Sequence, residues 1–359
     1  MELLTHFYEH PPQNEHFLPR KQSLPQADRL NLYGARGCGK TAMVLDYIRQ
    51  TAERTLYLDL ESPALIVTPL ETLQLQAFLD ENDIHTLVLD HYEEGLMESF
   101  PDVARLIVVS RRPLSLSGFV GIELMPLDYE EFLAFNPSAT PTVAFNRFLR
   151  SGSLPMMYRH FKSAPLMMKQ FFQHQFTPNE QSLVLMLARY NTQPLTTHQI
   201  YTMTREHFKI SKDFVYQAVK RFETEGIIRF VPNALKRSGK KMFFYDFAFA
   251  KYLAVEQPFG VQFEAMVAAT LFKHGVAFQT LGLHEFLTDD GTLILPVPFE
   301  SEEQFWVKAQ QRFGYYKSHG IRRIHIVSVA NHYRFDIESI RFEALPFYEW
   351  SITHTEEEA

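Results

Sequence analysis

A glycine-rich turn between an apolar strand and an apolar helix constrains the fold of this chain more than any other stretch. The segment RLNLYGARGCGKTAMVLDYI, Arg29 to Ile48, matches the phosphate-binding pattern G-x-x-x-x-G-K-[ST]. Apolar residues form a short run before the turn, and others recur after it at helical spacing. Strands that alternate with helices form a parallel sheet with helices on both faces. We therefore predict an α/β fold whose first domain is a P-loop NTPase sheet.

The residue types of this turn are those that bind a polyphosphate. Glycines let the backbone turn tightly and direct its N–H groups inward, next to the N-terminus of a helix. Lys40 would contact the β and γ phosphates, and the Thr41 hydroxyl would help to hold Mg²⁺. The sequence thus predicts ATP and Mg²⁺ as cofactors. The predicted nucleotide-binding residues are Gly34, Ala35, Arg36, Gly37, Cys38, Gly39, Lys40, Thr41 and Ala42.

Two later strands carry polar residues at their ends. The run TLVLD, Thr86 to Asp90, has the Walker B pattern, so we predict that Asp90 shares the metal with Thr41. The run RLIVVS, Arg105 to Ser110, ends in a hydroxyl. Ser110 is either a sensor near the γ-phosphate or a simple strand cap, and the sequence leaves both interpretations open.

The length, net charge and cysteine content of the chain limit the classes of protein to which it can belong. A chain of 359 residues is too long for one ordinary core and predicts two or three domains. The net charge of -7 argues against a wholly basic nucleic-acid coat. A single cysteine, Cys38, excludes an internal disulfide and favours a reducing cytoplasm. No apolar run approaches the roughly 20 residues that cross a bilayer, so we expect no membrane contact.

The order of the motifs resembles a known family. The P-loop and the two strands are followed by IELMPLDYEEF, Ile122 to Phe132, and by FLRSGSLP, Phe148 to Pro155. In this order they resemble the AAA+-like, STAND-related ATPases of bacteria and archaea, over nearly the whole chain. The resemblance implies an ATPase domain over residues 1–157, a helical linker and winged helix over 158–250, and a restriction-nuclease-like α/β domain over 251–359.

One departure from the family bears on hydrolysis. The family usually follows its Walker B aspartate with a glutamate that orients the attacking water, whereas here the next residue is His91. Glu93 and Glu94 are the candidate substitutes, and we predict Lys40, Asp90 and Glu93 as the catalytic residues. A general base must reach the water before its pKa matters, and spacing does not define where these carboxylates point, so the sequence predicts ATP binding with slow hydrolysis. Arg111 and Arg112 follow the sensor strand. They are either a source of a phosphate-facing guanidinium or a solvated pair at the strand exit, and we favour the solvated pair.

The middle of the chain has the element order of a winged helix. Three predicted helices precede a hairpin, in the order Asn179 to Tyr190, Thr196 to His207, Ser211 to Glu225, then strands at Ile227 to Val231 and Met242 to Tyr245. Between Thr196 and Asp246 there are ten Lys plus Arg and five Asp plus Glu, a local charge of +5.

This basic excess predicts DNA contact as one role for the module, and a lid or docking surface as the other. If it binds DNA, the third helix enters the major groove and the hairpin contacts phosphates. The candidate residues are Lys212, Gln217, Lys220, Arg221, Lys236, Arg237, Lys240 and Lys241.

The C-terminal region resembles a PD-(D/E)xK nuclease core that has lost its active site. It begins with a predicted amphipathic helix, Gly260 to His274. The strand that should supply Glu-x-Lys reads LPVPF, Leu295 to Phe299, and its prolines predict an edge strand. Glu264 and Glu285 stand where the family tends to carry acids, and we interpret them as structural or surface residues.

The sequence therefore favours a slowly hydrolysing, ATP-binding AAA+/STAND-like switch that couples nucleotide state to the winged helix and the nuclease-like domain. A DNA-associated regulator with ATP as a structural ligand is the main alternative. An active Mg²⁺-dependent nuclease is the weaker one, because the metal ligands are missing. The expected partners are ATP or ADP, DNA, and a second protein or a second copy of the chain.

Overall fold

A computed structural model of the chain describes residues 2–12, 17–135, 139–158, 163–237, 239–254 and 256–353. The chain divides into two compact units, Met1–Met125 with Thr224–Gly226, and Pro126–Glu223 with Ile227–Ala359. The predicted domain borders at 157/158 and 250/251 remain predictions. Over the described ranges, no helix has the length and apolar character that spanning a membrane requires.

The first unit alternates strands and helices, as the sequence predicts. Its elements are α1 Glu2–Glu9, β1 Arg29–Tyr33, α2 Lys40–Gln50, β2 Thr55–Asp59, α3 Pro63–Val67, α4 Thr72–Glu81, β3 Thr86–Tyr92, β4 Arg105–Ser110 and β5 Val120–Glu123.

The five strands of this unit form one sheet in the order β2-β3-β4-β1-β5, and every pairing is parallel. The residues of β3 and β4 are almost all buried, as expected for inner strands of a sheet covered on both faces. Because all strands run the same way, the loops after β1, β3 and β4 leave from the same edge. This edge is where ligands bind in open α/β sheets.

The second unit begins with helices and ends with a larger sheet. Its first part comprises α5 Tyr129–Ala134, α6 Pro141–Ser151, a 3-10 helix Pro155–Met157, α7 Ala164–Gln175, α8 Pro178–Arg189, β6 Pro194–Leu195, α9 Thr197–His207, α10 Lys212–Thr224, β7 Ile228–Val231, β8 Lys240–Phe244 and α11 Phe249–Leu253. Its second part comprises α12 Phe259–Lys273, β9 Phe278–Thr280, β10 Phe286–Thr288, β11 Thr292–Pro296, α13 Glu302–Ser318, β12 Arg323–Ser328, β13 Tyr333–Ile337, β14 Ile340–Pro346 and α14 Phe347–Thr353.

The helices α8, α9 and α10 and the hairpin β7–β8 lie where the sequence predicts them, within a few residues at each end. The hairpin is antiparallel and gains a short third strand, β6, next to β8. This is the element order of the predicted winged helix, and the likeness to that fold remains a prediction.

The larger sheet has the order β13-β14-β12-β11-β10-β9, which corrects the edge-strand prediction for β11. β11 lies inside the sheet, parallel to β12 and antiparallel to β10. Its pairing with β10 ends at Ile294, two residues before Pro296. The amide of Val297 donates to the carbonyl of Val327 on β12. Successive residues of a strand direct their N–H groups to opposite sides. Position 296 therefore faces the β10 side, where the pairing has already ended, so Pro296, which has no N–H group, removes no hydrogen bond from the sheet.

α12 also differs from the prediction, because it is buried on nearly every side and has no polar face. Its buried residues include the polar Gln262 and Glu264 as well as apolar side chains such as Phe263, Met266 and Leu271. A helix that is apolar nearly all round belongs to an interior. The burial of Glu264 therefore needs a compensating partner, and that partner is part of the site described below.

The two segments most typical of the resembled family have structural roles in this unit. Asp128 caps α5 through a reciprocal capping box with Glu131, whose carboxylate also lies 3.1 Å from the ammonium of Lys273. Gly152 ends α6 at φ 77, and a Cβ there would stand 2.5 Å from the buried carboxylate of Asp246. That carboxylate accepts hydrogen bonds from the amide and hydroxyl of Ser153. Only glycine allows this approach.

Candidate functional site

The glycine-rich turn joins β1 to α2 with the backbone that its motif requires. Gly37 and Gly39 have φ of 81 and 94, which favour glycine. Gly34 has φ 146, and a Cβ there would stand 2.3 Å from the carbonyl oxygen of Leu124, which follows β5. The loop is thus built from backbone conformations that a side chain would disturb. Its tight turn before a helix N-terminus can surround an anion.

An arginine outside the motif, Arg20, stabilises this loop through hydrogen bonds. Arg20 lies in the proline-rich segment before β1 and donates from Nη1 to the carbonyl of Cys38, at 2.9 Å. Its Nη2 donates to the carbonyl of Met125, at 2.7 Å. The guanidinium therefore ties the loop to the chain that leaves the sheet after β5. No sequence motif marks this residue.

Lys40 lies at the start of α2, and its ammonium donates to the carbonyls of Gly34 and Ala35, at 2.7 and 3.0 Å. Burial lowers the pKa of Lys40, and the nearby Cys38 and Asp90 act in the opposite direction. The sheet therefore brings Lys40 and Asp90 into one electrostatic environment, although 50 residues of sequence separate their two positions. Thr41 follows in the first turn of α2 and is partly exposed.

Asp90 is fully buried, and its two carboxylate oxygens each accept a hydrogen bond. Oδ2 accepts from the hydroxyl of Tyr57 on β2, and Oδ1 accepts from the amide of His91, both at 2.8 Å. The pairing of β3 with β4 shifts register between Leu89 and Tyr92, and His91 has a φ of 58. Such bulges orient a side chain at many sites. Burial and the carboxylate of Asp90 raise the pKa of the Tyr57 hydroxyl, which keeps it a hydrogen-bond donor.

The side chains after Asp90 contact polar groups of neighbouring chain segments. The His91 ring lies 2.8 Å from the carboxylate of Asp59, which is the register partner of Asp90 on β2. The Glu93 side chain is 71% exposed and lies 3.8 Å from the guanidinium of Arg111. Its predicted role in orienting water remains a prediction.

Ser110 makes two hydrogen bonds at the end of β4. Its hydroxyl accepts from the side-chain amide of Asn31 at 2.9 Å and donates to the carbonyl of Arg112 at 2.6 Å. Both contacts fit a buried strand cap, and the sensor role stays a prediction. Arg111 differs from the predicted solvated pair, because it donates to Glu61 at 2.6 Å and lowers the pKa of Lys40 through its charge. Arg111 is therefore close to the phosphate loop.

Sequence reasoning missed Arg20, Tyr57 and Asp59. A signal for the last two was present, because TLYLD and TLVLD repeat one pattern in two consecutive strands. If those strands pair in parallel and in register, Asp59 must lie beside Asp90. Arg20 had no comparable signal, since its partners are carbonyl groups far along the chain.

In the second unit, most of the predicted DNA contacts are on the surface. Arg221 is paired with the buried Glu180, and its side chain keeps 45% exposure. Lys241 contradicts the prediction, because its side chain is only 3% exposed and its ammonium donates to the carboxylate of Glu264 and to the carbonyl of Leu283. Alternation along β8 turns Lys240 outward and Lys241 inward. The exposed candidates are Lys212, Gln217, Lys220, Arg221, Lys236, Arg237 and Lys240.

Glu264 and Glu285 are both interior residues, and cationic side chains compensate each of them. Glu264 also lies 2.8 Å from the His284 ring, and Glu285 pairs with Arg312. These residues line a cavity of about 600 Å³ within the second unit. Across the described ranges, no group of three or more His, Cys, Asp or Glu residues could hold a metal ion.

Comparisons with known proteins give a distant fold likeness. A scan against protein-family models and a search of curated proteins find no match. Among solved structures, a Walker-type ATPase of Pyrococcus abyssi aligns with a TM-score of 0.40 and 11% identity, over 64% of this chain and 91% of that one. A chain of Drosophila ORC bound to AT-rich DNA and Cdc6 aligns with a TM-score of 0.19 and 14% identity, over 62% and 84%. At these scores neither likeness says what this chain binds.

Proposed function

We propose that the first unit binds ATP with Mg²⁺ at the β1–α2 loop and hydrolyses it slowly. The observation that carries this proposal is the joint placement of Lys40 and Asp90, at the edge of a parallel sheet, beside a loop whose backbone requires glycine. A partly buried cation and a buried carboxylate at one glycine-rich loop fit a polyphosphate with its metal better than an uncharged ligand.

Each residue has a distinct task in this proposal. Lys40 exchanges the carbonyls of Gly34 and Ala35 for phosphate oxygens, and the loop amides bind the remaining oxygens. Thr41 and Asp90 would hold Mg²⁺, with Asp90 acting directly or through water. The metal, when bound, would neutralise charge on the phosphate oxygens. Tyr57 and the amide of His91 fix the direction of the Asp90 carboxylate.

Slow turnover and a switch function follow from the residues after Asp90. Glu93 would orient the attacking water only after leaving its solvent-exposed position near Arg111. Arg111 would contact the terminal phosphate by exchanging Glu61 or Glu93 for it. In such a site, the γ-phosphate holds one arrangement of loops until it is lost. Nucleotide state would then act on the winged-helix and nuclease-like regions, and we propose no cleavage by the latter.

Titration calorimetry with a non-hydrolysable ATP analogue tests this proposal. We expect binding that strengthens with Mg²⁺, together with slow release of phosphate from ATP. Adenosine, which lacks phosphates, should bind far more weakly. Equal affinity for adenosine and for the analogue would contradict a phosphate-binding role for the loop.

Tyr57→Phe should weaken Mg²⁺ binding and leave metal-free nucleotide binding nearly unchanged. The change removes the hydroxyl that donates to Asp90, and loss of such an outer contact typically costs about tenfold or more in metal affinity. We expect the Mg²⁺ concentration for half-maximal phosphate release to rise about tenfold, with little change in metal-free ATP affinity. Tyr8→Phe, which removes a hydroxyl on α1, should change neither. An unaltered Mg²⁺ requirement would contradict the positioning role of Tyr57.

DNA contact is a second candidate function, and exposed cations of α10 and the hairpin favour it. We expect the combined variant Lys236→Ala, Arg237→Ala and Lys240→Ala to lower DNA affinity and to reduce its salt dependence, since each lost phosphate contact lowers the slope by about one. Fluorescence anisotropy with a labelled duplex at several salt concentrations measures both. Lys241 stays unchanged in this experiment because it is buried. An identical salt slope in the variant would contradict phosphate contact by the hairpin.

A further inference from the structure

A buried glutamate from far along the chain lies at the phosphate loop. The short segment Thr224–Gly226 belongs to the first unit, and within it Glu225 is 5% exposed. Its Oε2 lies 3.4 Å from Nη2 of Arg36, whose side chain is 7% exposed. Arg36 is the third residue of the predicted P-loop. The pair is therefore an ion pair shielded from water, inside the loop that we assign to nucleotide.

Glu225 also acts on the second cation of the loop. Its charge raises the pKa of Lys40, as the charge of Asp90 does, whereas burial and Arg111 lower it. The carboxylate thus lies within the electrostatic range of both Arg36 and Lys40. A carboxylate and a phosphate oxygen bind the same partners, namely guanidinium and ammonium groups. Glu225 and a bound phosphate would therefore compete.

We propose that Glu225 is a regulatory carboxylate of the phosphate loop, which competes with nucleotide phosphates for Arg36 and so sets the affinity for ATP. This inference rests on the proposed function. If the Arg36 pair stays intact when nucleotide binds, the carboxylate repels the phosphates. If the pair breaks, Glu225 loses a partner in a buried environment, which is costly. In both cases, Glu225 makes nucleotide binding less favourable.

The unfavourable effect of Glu225 on nucleotide binding depends on the charge of the nucleotide. Repulsion between charges grows with their number, and a weakly screened interior strengthens it relative to water. ATP, with one more phosphate than ADP, is affected more strongly. Glu225 would therefore reduce the preference of the loop for ATP over ADP, and its removal would increase that preference.

Calorimetry with ATP and ADP on three proteins tests the inference. Compared with the natural chain, Glu225→Gln should bind ATP about tenfold more tightly and ADP less than tenfold more tightly. Glu223→Gln is the matched control, because this glutamate lies two residues earlier and is exposed. It should bind both nucleotides like the natural chain. An unchanged or lower ATP affinity of Glu225→Gln would overturn the inference.

A second pair of variants removes the risk that loss of the Arg36–Glu225 ion pair in Glu225→Gln unfolds the loop. Arg36→Gln should bind ATP more weakly than the natural chain, and adding Glu225→Gln to it should restore part of that affinity, because the repulsion near Lys40 is gone. No restoration would overturn the inference. If the natural chain binds no ATP but Glu225→Gln does, the inference holds in its strongest form. If no variant binds ATP, the proposed function itself fails together with this inference.

Discussion

Lys40→Ala should lower the affinity for ATP by about a hundredfold or more. The ammonium would make charge-assisted hydrogen bonds to phosphate oxygens, which are worth about 1.5–3 kcal/mol each, and a loss of roughly 2.7 kcal/mol is a hundredfold change. The lysine also donates to the carbonyls of Gly34 and Ala35, so its removal takes two contacts from the loop itself. Calorimetric titration with ATP and Mg²⁺ measures the change.

Arg49→Ala is the matched control for this experiment. Arg49 is a cation of the same helix, α2, but its side chain is 67% exposed and pairs with Asp46 one turn away. Its removal should leave the ATP affinity within about twofold, since an exposed charge in the last turn of α2 lies far from the loop and is screened by water. Circular dichroism should show that both variants keep their helix content. An ATP affinity of Lys40→Ala equal to that of the natural chain would end the nucleotide proposal.

Lys241→Ala should destabilise the second unit by about 3–5 kcal/mol, the usual cost of removing one partner of a buried ion pair. Glu264 would then keep a charge on a helix that is buried on nearly every side, beside the exposed ring of His284. Burial already lowers the pKa of Lys241, and Glu264 acts against that shift, so the two charges depend on each other. Urea unfolding, monitored by circular dichroism, measures the loss of stability.

Two further variants identify the cause of that loss. Lys240→Ala removes the neighbouring, exposed lysine and should change the unfolding free energy by less than about 0.5 kcal/mol. The double variant Lys241→Met and Glu264→Leu replaces both charges with apolar groups and should recover most of the stability. If Lys241→Ala unfolds at the same urea concentration as Lys240→Ala, the buried pair does not stabilise this unit.

The sequence allowed the β1–α2 loop to be predicted because its motif is local. Strand, turn and helix are contiguous, so the identity of Gly34, Gly39 and Lys40 already defines the loop between β1 and α2. Asp90 was predicted from the same logic, since a buried parallel strand delivers its last residue to the loop edge. The surrounding residues were harder to predict. The repeated TLYLD and TLVLD pattern was the one signal for Tyr57, which donates to Asp90. No short pattern marks Arg20, because its partners are the carbonyls of Cys38 and Met125.

The errors in the second unit have a different cause. Lys240 and Lys241 are identical in type and adjacent in sequence, and only the direction of each side chain in β8 separates a surface cation from a buried one. The prolines of β11 indicated an edge strand, but a strand can lose one partner near its end and keep the other. Composition alone does not distinguish these cases.

Two buried carboxylates of the second unit have practical consequences for dividing the chain. The Asp246 carboxylate accepts a hydrogen bond from Ser153, which lies before the expected border at residue 157. Glu264 forms an ion pair with Lys241, which lies before the expected border at residue 250. Cutting at either border would separate an acid from its donor. Fragments that end there should express poorly and aggregate, and truncation studies would do better to keep residues 126–353 in one piece.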